Sequence, residues 1–410
     1  MYSRLFAVTL FFATLFASSA LAQEPDEQTS APPVIESPAP ASSVNGQYQP
    51  SSETSGAEDP TIRLGELRGA VRAFPQNDES RLKLAEGLYR VGDFDAAIEE
   101  SRVAIKLKPD NPQAHVQLGI SLMAKQDWRA AASVLKEALR LDPTLVQAHY
   151  SLAGVQYSLG NVKGAILSYR QAIELQPYFP DAHYRLALLL KLTHRDQEAA
   201  HMMEEAALGG VPDAQFFLGN AYRNGQGVDK NVGEAVFWWT RASEFGHQPA
   251  ADALSKLRRQ ALSSDRTDRR RQEALDGFQA YRDKLWNEFP DHTRTDDQGT
   301  LGTLLIKEQR VDQAFAVLLK EGYALSETAQ GELANLYETG WDAQLAPFDN
   351  TILACFETTA TEGFLPAKKI LARIYAKGLG VAPDPQKAKA ILTGLPKQEA
   401  KILLHELGLR

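Results

Sequence analysis

Three histidines recur at a fixed step of 34 residues: His115, His149 and His183. Imidazole binds metals and moves protons near neutral pH, so a periodic histidine column first raises metal chemistry. Zinc ligands must lie ~2.1 Å from one ion, whereas packed helices stand ~8–10 Å apart. Residues one period apart on such helices cannot converge, so the column reads as packing. Gly225-Gln226-Gly227 and Gly378-Leu379-Gly380 look like phosphate cradles. No strand pattern precedes either one and no Gly-Lys-Ser/Thr follows, so they read as turn glycines with positive φ. His405-Glu406 lacks the second histidine of a zinc protease motif. The single cysteine, Cys355, sits in an apolar helical run and reads as a buried, inert thiol without an internal disulfide. No Ser/His/Asp, Cys/His or paired-carboxylate arrangement stands out. Catalytic residues, metal and cofactor are therefore all expected to be none.

The same 34-residue step organises residues that do no chemistry. Ala97, Ala131, Ala165 and Ala199 form one column, and Ala104, Ala138, Ala172 and Ala206 a second. Leu84, Leu118, Leu152 and Leu186 form a third, each followed by Ala or Gly, and Pro109, Pro143 and Pro177 close three units. Small residues at this period mark contacts between stacked helical hairpins, in which each unit buries its apolar face against its neighbours. Within 112–145, a first helix is expected over about 113–126 and a second up to Leu141, where Asp142-Pro143 stops it.

The first unit reads Leu84-Ala85, Gly92-Asp93-Phe94, Ala97, Ala104, Pro109; the third reads Leu152-Ala153, Gly160, Ala165, Tyr169, Ala172, Pro177. These residues resemble the tetratricopeptide repeat. The resemblance covers units 78–111, 112–145, 146–179 and 180–212, with a helix ahead of them at about 62–74. In the fourth unit His194 stands at the turn glycine and Pro212 falls one residue late. From 213 the pattern changes to Ala214-Gln215, Leu218-Gly219, Tyr222, Gly225-x-Gly227-Val228, Ala235, Trp238-Trp239, Ala242 and Gly246-His247. It returns at Ala367, Leu371-Ala372, Tyr375, Gly378-x-Gly380-Val381, Asp384 and Ala388. This second pattern is similar to the Sel1-like repeat. Together the two resemblances imply an all-α, right-handed α-solenoid in two blocks. The expected organisation is a repeat block at 61–212, a Sel1-like repeat at 213–249, a charged helical linker with a bend or hinge at 250–298, and a Sel1-like block at 299–410 ending in a polar capping helix.

Residues 1–22 read as a secretory signal: Arg4, an apolar run from Leu5 to Ala17, and Ala20-Leu21-Ala22 as the cleavage site. The run is short for a membrane span, which needs ~20 residues, and no other segment is apolar enough to cross. Residues 23–60 carry seven carboxylates and no Lys or Arg, and read as a disordered acidic tether. The chain totals −8; the signal holds one positive charge and the tether seven negative, which leaves −2 on the rest. A nearly neutral folded part gives no reason to expect nucleic acid as partner.

What remains is a surface for holding another molecule. The resemblance implies that partners lie along the concave face of each unit's first helix. Carried over place by place, that face holds Leu82 and Tyr89; Val116, Ile120 and Met123; Tyr150 and Tyr157; Tyr184 and Leu188. Such an apolar, tyrosine-rich strip suits a peptide or helix of another protein. Arg258, Arg259, Arg266, Arg269, Arg270 and Arg271 would make a second surface for an anionic polysaccharide, a lipid or the chain's own tether; the bland reading is a solvated, ion-paired helix. The expected function is a non-enzymatic, periplasmic interaction scaffold. Relatives mixing these repeats imply envelope or exopolysaccharide assembly. Polysaccharide binding is the alternative. A β-lactam-hydrolysing reading is disfavoured, because those relatives pair cysteines within each repeat and this chain has one.

Overall fold

The computed structural model describes residues 60–265, 267–292, 299–341 and 344–409. The expected signal, the tether up to 59, Arg266 and 293–298 lie outside the described residues. Among those described there are 20 α-helices and no strand, only an isolated bridge between Trp341 and Leu345. The architecture is an α-solenoid of stacked hairpins.

Helix α1 (Pro60–Ala73) leads into four hairpins: α2 (Asp78–Arg90) with α3 (Phe94–Leu107), α4 (Pro112–Ala124) with α5 (Trp128–Leu141), α6 (Val146–Ser158) with α7 (Val162–Leu175), and α8 (Pro180–Leu192) with α9 (Asp196–Leu208). Five of these starts are written in the sequence. Asn77, Asp93, Asn111, Asp127 and Asn161 are N-caps whose side chains accept from backbone N–H groups of the first turn. Each turn between paired helices needs one left-handed residue. Gly92 and Gly160 supply it in two units, while Gln126 and His194 adopt it at φ 61° and 58° in the others. The missing turn glycine of the fourth unit therefore leaves the geometry intact.

The alanine columns form the seams: Ala97, Ala104, Ala131, Ala138, Ala165, Ala172 and Ala206 have no exposed surface. Gly119 shows how close the helices come. A Cβ there would stand 2.6 Å from Leu135 Cγ across the α4–α5 contact. Leu118, Leu122, Leu135, Leu152 and Val155 fill the space around this seam.

The histidine column is structural. His115 and His149 bond through Nε2 to the carbonyls of Pro109 and Pro143, at 2.9 Å each. These bonds tie each first helix to the end of the unit before it. His183 bonds through Nδ1 to its own helix's N-cap carbonyl, Phe179, at 3.0 Å. Among the described residues no group of three His, Cys, Asp or Glu could hold a metal ion.

Next come α10 (Pro212–Asn224), α11 (Val232–Glu244), α12 (Gln248–Ala261) and α13 (Arg269–Leu285). The long turn before α11 uses Gly227 at φ 74°, where a Cβ would meet the Asp196 carbonyl oxygen at 2.1 Å. Trp238 and Trp239 are each 4% exposed and belong to the core.

The expected linker is corrected here. Helices α12 and α13 pack on each other and on α11, with Phe278, Tyr281 and Leu285 buried. They also hold the C-terminal helices: α14 (Leu301–Lys307), α15 (Val311–Tyr323), α16 (Glu327–Thr339), α17 (Asn350–Glu362), α18 (Leu365–Lys377), α19 (Pro385–Leu392) and α20 (Lys397–Glu406). Arg282 on α13 donates to the Ala324 carbonyl and Arg258 on α12 is bound bidentately by Glu362 on α17; beside them Lys320 pairs with Glu244 of α11 at 3.3 Å. A segment bonded to both blocks is part of the stack, not a free hinge between them. The last helix, α20, packs on α19, buries none of its residues and leaves Ile402 54% exposed.

Candidate protein-docking face

In the N-terminal block successive first helices touch, α2 against α4 and α4 against α6, in addition to the contacts between neighbours in sequence. The side of these first helices left open to solvent is the candidate docking face.

That face is narrower than the sequence implied. Leu82, Val116, Met123, Tyr150 and Leu188 are buried and belong to the chain's own core. The reason is that each of these positions is closed over by its own second helix and by the next unit: Leu82 packs with Ala104 and Ala114, and Val116 with Ala138 and Ala148. Tyr150 is the clearest case. Its ring lies 5.5 Å from that of Tyr169 and 4.9 Å from that of Phe179, and burial pushes its hydroxyl pKa up. Tyr89, Ile120, Tyr157 and Tyr184 stay half-buried and are the positions the face presents.

The structure adds residues that the 34-residue step missed. Phe217 on α10 stands with its ring 6.4 Å from Tyr184, and the Lys191 ammonium lies 5.7 Å above it. Phe216 stacks beside it at 5.7 Å and on His247 at 4.9 Å. Helix α10 begins 32 residues after α8, so the shorter step moved these rings out of the column. Burial, with the Asp213 charge nearby, holds the Tyr184 hydroxyl neutral and raises its pKa. The face is thus an aromatic and aliphatic ladder, Ile120, Tyr157, Tyr184, Phe217, with a cation at its α8–α10 end. It offers area and hydrogen bonds, not a reacting group.

The arginine set does not form one surface. Arg258 is 6% exposed and committed to Glu362. Arg271 donates through Nε to the Ser263 carbonyl at 3.1 Å. Arg259 reaches Ser255, leaving Arg269 and Arg270 exposed at the head of α13. Arg269 borders an open cleft of about 550 Å³ that also holds Lys230, Glu273 and Asp276, so both charge signs face it. Cys355 is fully buried. Gln330 is 3.7 Å from its sulfur, and burial raises the thiol pKa to about 12, so no thiolate is offered at neutral pH.

One buried acid has a measurable consequence. Glu321 on α15 accepts from the backbone N–H groups of Leu301 and Gly302 at 3.0 and 3.2 Å, capping α14. Burial nevertheless outweighs these bonds and lifts its pKa to about 7. A raised carboxyl pKa means the folded state favours the protonated form. This contribution to stability is complete below the unfolded value, 4.5, and is lost as pH rises to about 7. Glu321→Gln should remove that slope. Melting temperatures of both proteins from pH 4 to pH 8 check this, and parallel curves would contradict it.

Stacked helical hairpins with an aromatic inner face define a helical-repeat protein of the interaction-scaffold class. The particular repeats are two: residues 116–180 match the Tetratricopeptide repeat family, and residues 212–247 and 367–392 match the Sel1 repeat family. Repeats of these kinds typically act as non-enzymatic scaffolds for protein partners. A 71-residue stretch is 37% identical to "DAP3-binding cell death enhancer 1" of Rattus norvegicus, and equally to that of Mus musculus. It spans 17% of this chain and only 14% of those relatives. Among solved structures, the Sel1 repeat protein from Oxalobacter formigenes is 20% identical, covering 88% of this chain and 98% of its own, at a TM-score of 0.35. MamA is 26% identical over 41% of this chain and 97% of its own, at 0.36. YrrB, titled a TPR protein with an unusual peptide-binding site, is 19% identical over 46% and 98%, at 0.37. Among the described residues no helix is long and apolar enough to cross a membrane.

Proposed function

We propose that this chain is an exported scaffold that holds a peptide or helix of another protein along the ladder Ile120, Tyr157, Tyr184 and Phe217. The half-burial of these side chains carries the reading. They are fixed by neighbours yet keep apolar area that a guest would cover, at low entropy cost for rigid rings. The charge pattern of residues 1–22 supports delivery to the periplasm. Work in envelope or exopolysaccharide assembly is part of this proposal and rests on the repeat resemblance of the sequence alone.

Direct polysaccharide binding through exposed aromatics and the arginine-rich segment has less behind it, since Arg258 is buried in an ion pair and Trp238 and Trp239 are in the core. Salt sensitivity of glycan binding, and its loss on replacing Arg269 and Arg270, would revive it. The buried Cys355 thiol likewise gives β-lactam hydrolysis no nucleophile.

The test is Tyr157→Ala combined with Tyr184→Ala. Capture of the partner recovered from periplasmic extract should fall at least about tenfold, the size of an interface hot spot. Helicity and melting temperature should stay close to the parent. Collapse of both together would make these residues core and end the reading. Tyr150 is left out because its burial makes it a stability residue.

A further inference from the structure

A second surface lies on the loop edge where the third unit meets the fourth, away from the first-helix face. We propose that Leu175, Tyr178 and Leu208, bordered by Glu174, Asp181 and Glu205, dock a cationic segment of a partner protein that carries an apolar side chain. Tyr178 is 87% exposed, Leu208 62% and Leu175 39%. Single exposed apolar residues are ordinary, but three together on one edge are not.

The edge is rigid. Pro177 and Pro180 fix φ on both sides of Tyr178. Gln176 donates its amide to the Tyr178 carbonyl at 3.3 Å, and Phe179 is held against Tyr150 at 4.9 Å. The end of α9 joins this loop closely: a Cβ on Gly209 would stand 2.3 Å from Pro180 Cγ. This contact brings the end of α9, which carries Leu208, to the loop that carries Tyr178. The backbone that carries Tyr178 is thus held in place, so binding has only the ring itself to order.

The two segments that carry the edge are themselves acidic, with Arg185 of α8 acting on Asp181. Residues 171–182 and 203–213 contain no Lys or Arg and five carboxylates, Glu174, Asp181, Glu204, Glu205 and Asp213. Asp213 is bonded by His247 at 3.1 Å. Glu174 accepts only from the Gln171 amide, at 2.8 Å, and no cation pairs with Glu205 among the described residues. An acidic border around an apolar centre selects Lys or Arg beside a Leu or aromatic side chain, and steers it from solution.

The full chain should bind a fluorescein-labelled peptide, Lys-Lys-Phe-Lys-Leu-Lys, in an anisotropy titration. The matched Glu-Glu-Phe-Glu-Leu-Glu should not bind. Tyr178→Ala with Leu208→Ala should weaken the cationic peptide about tenfold or more, and so should Glu174→Lys with Glu205→Lys. Tyr157→Ala with Tyr184→Ala should leave it unchanged, which separates this edge from the first-helix face. No binding of the cationic peptide, equal binding of the acidic one, or binding lowered by salt but indifferent to Tyr178 and Leu208 would overturn the proposal.

Discussion

Glu362→Ala should lower the stability of the C-terminal helices by about 3–5 kcal/mol, the usual effect of stranding one charge of a buried pair. The side chains of Arg258 and Glu362 are only 7% and 4% exposed, and two hydrogen bonds join them, one of them 2.9 Å long. Removing the carboxylate leaves the guanidinium in a place that water does not reach. Its remaining neighbour is the Tyr323 ring, 5.8 Å away, which offers far less than a carboxylate. Replacing both partners by apolar residues of similar size, Arg258→Met with Glu362→Leu, should be nearly neutral, because neither charge is then desolvated. The two variants together separate the net worth of the pair from the cost of breaking it. Calorimetry with segment-resolved hydrogen exchange checks this. Glu362→Ala melting within about 2 °C of the parent would contradict it.

Ala131→Arg should be at least as damaging locally, at about 4 kcal/mol or more, since a charge cannot be buried unpaired in an apolar seam. Ala131 has no exposed surface, packs with Leu118, Leu122 and Leu135, and lies where α4 and α5 approach closely enough that Gly119 has no room for a Cβ. Because each unit of a repeat array rests on its neighbours, the loss should spread through α2 to α7 and fade beyond. Hydrogen exchange should rise there while α14 to α19 stay protected. Uniform protection throughout would mean that the seam tolerates charge.

Much of this was legible from residue spacing. The 34-residue columns fixed the hairpins and their seams because a small residue is required wherever two helices approach closely, whatever surrounds it. The turns were legible for the same local reason. The face was only half legible. Val116 and Tyr150 sit at first-helix places, yet each is sealed jointly by its own second helix and the start of the next unit, and no single unit records how closely its neighbour stacks. Phe217 escaped because α10 follows α8 at 32 residues and not 34. Arg258 read as a free cation because its partner is 104 residues away and leaves no local trace. The same contact turned an expected linker into a packed hairpin.

The central claim is that the first helices present their remaining apolar surface to a guest. Photo-cross-linking in living cells tests it most directly, with a benzophenone side chain placed singly at Tyr157, at Tyr184 and at Leu167, which is 63% exposed on the second helix of its hairpin. The account predicts one discrete cross-linked product shared by positions 157 and 184 and absent at 167. Cross-links at 167 with none at 157 or 184 would contradict it.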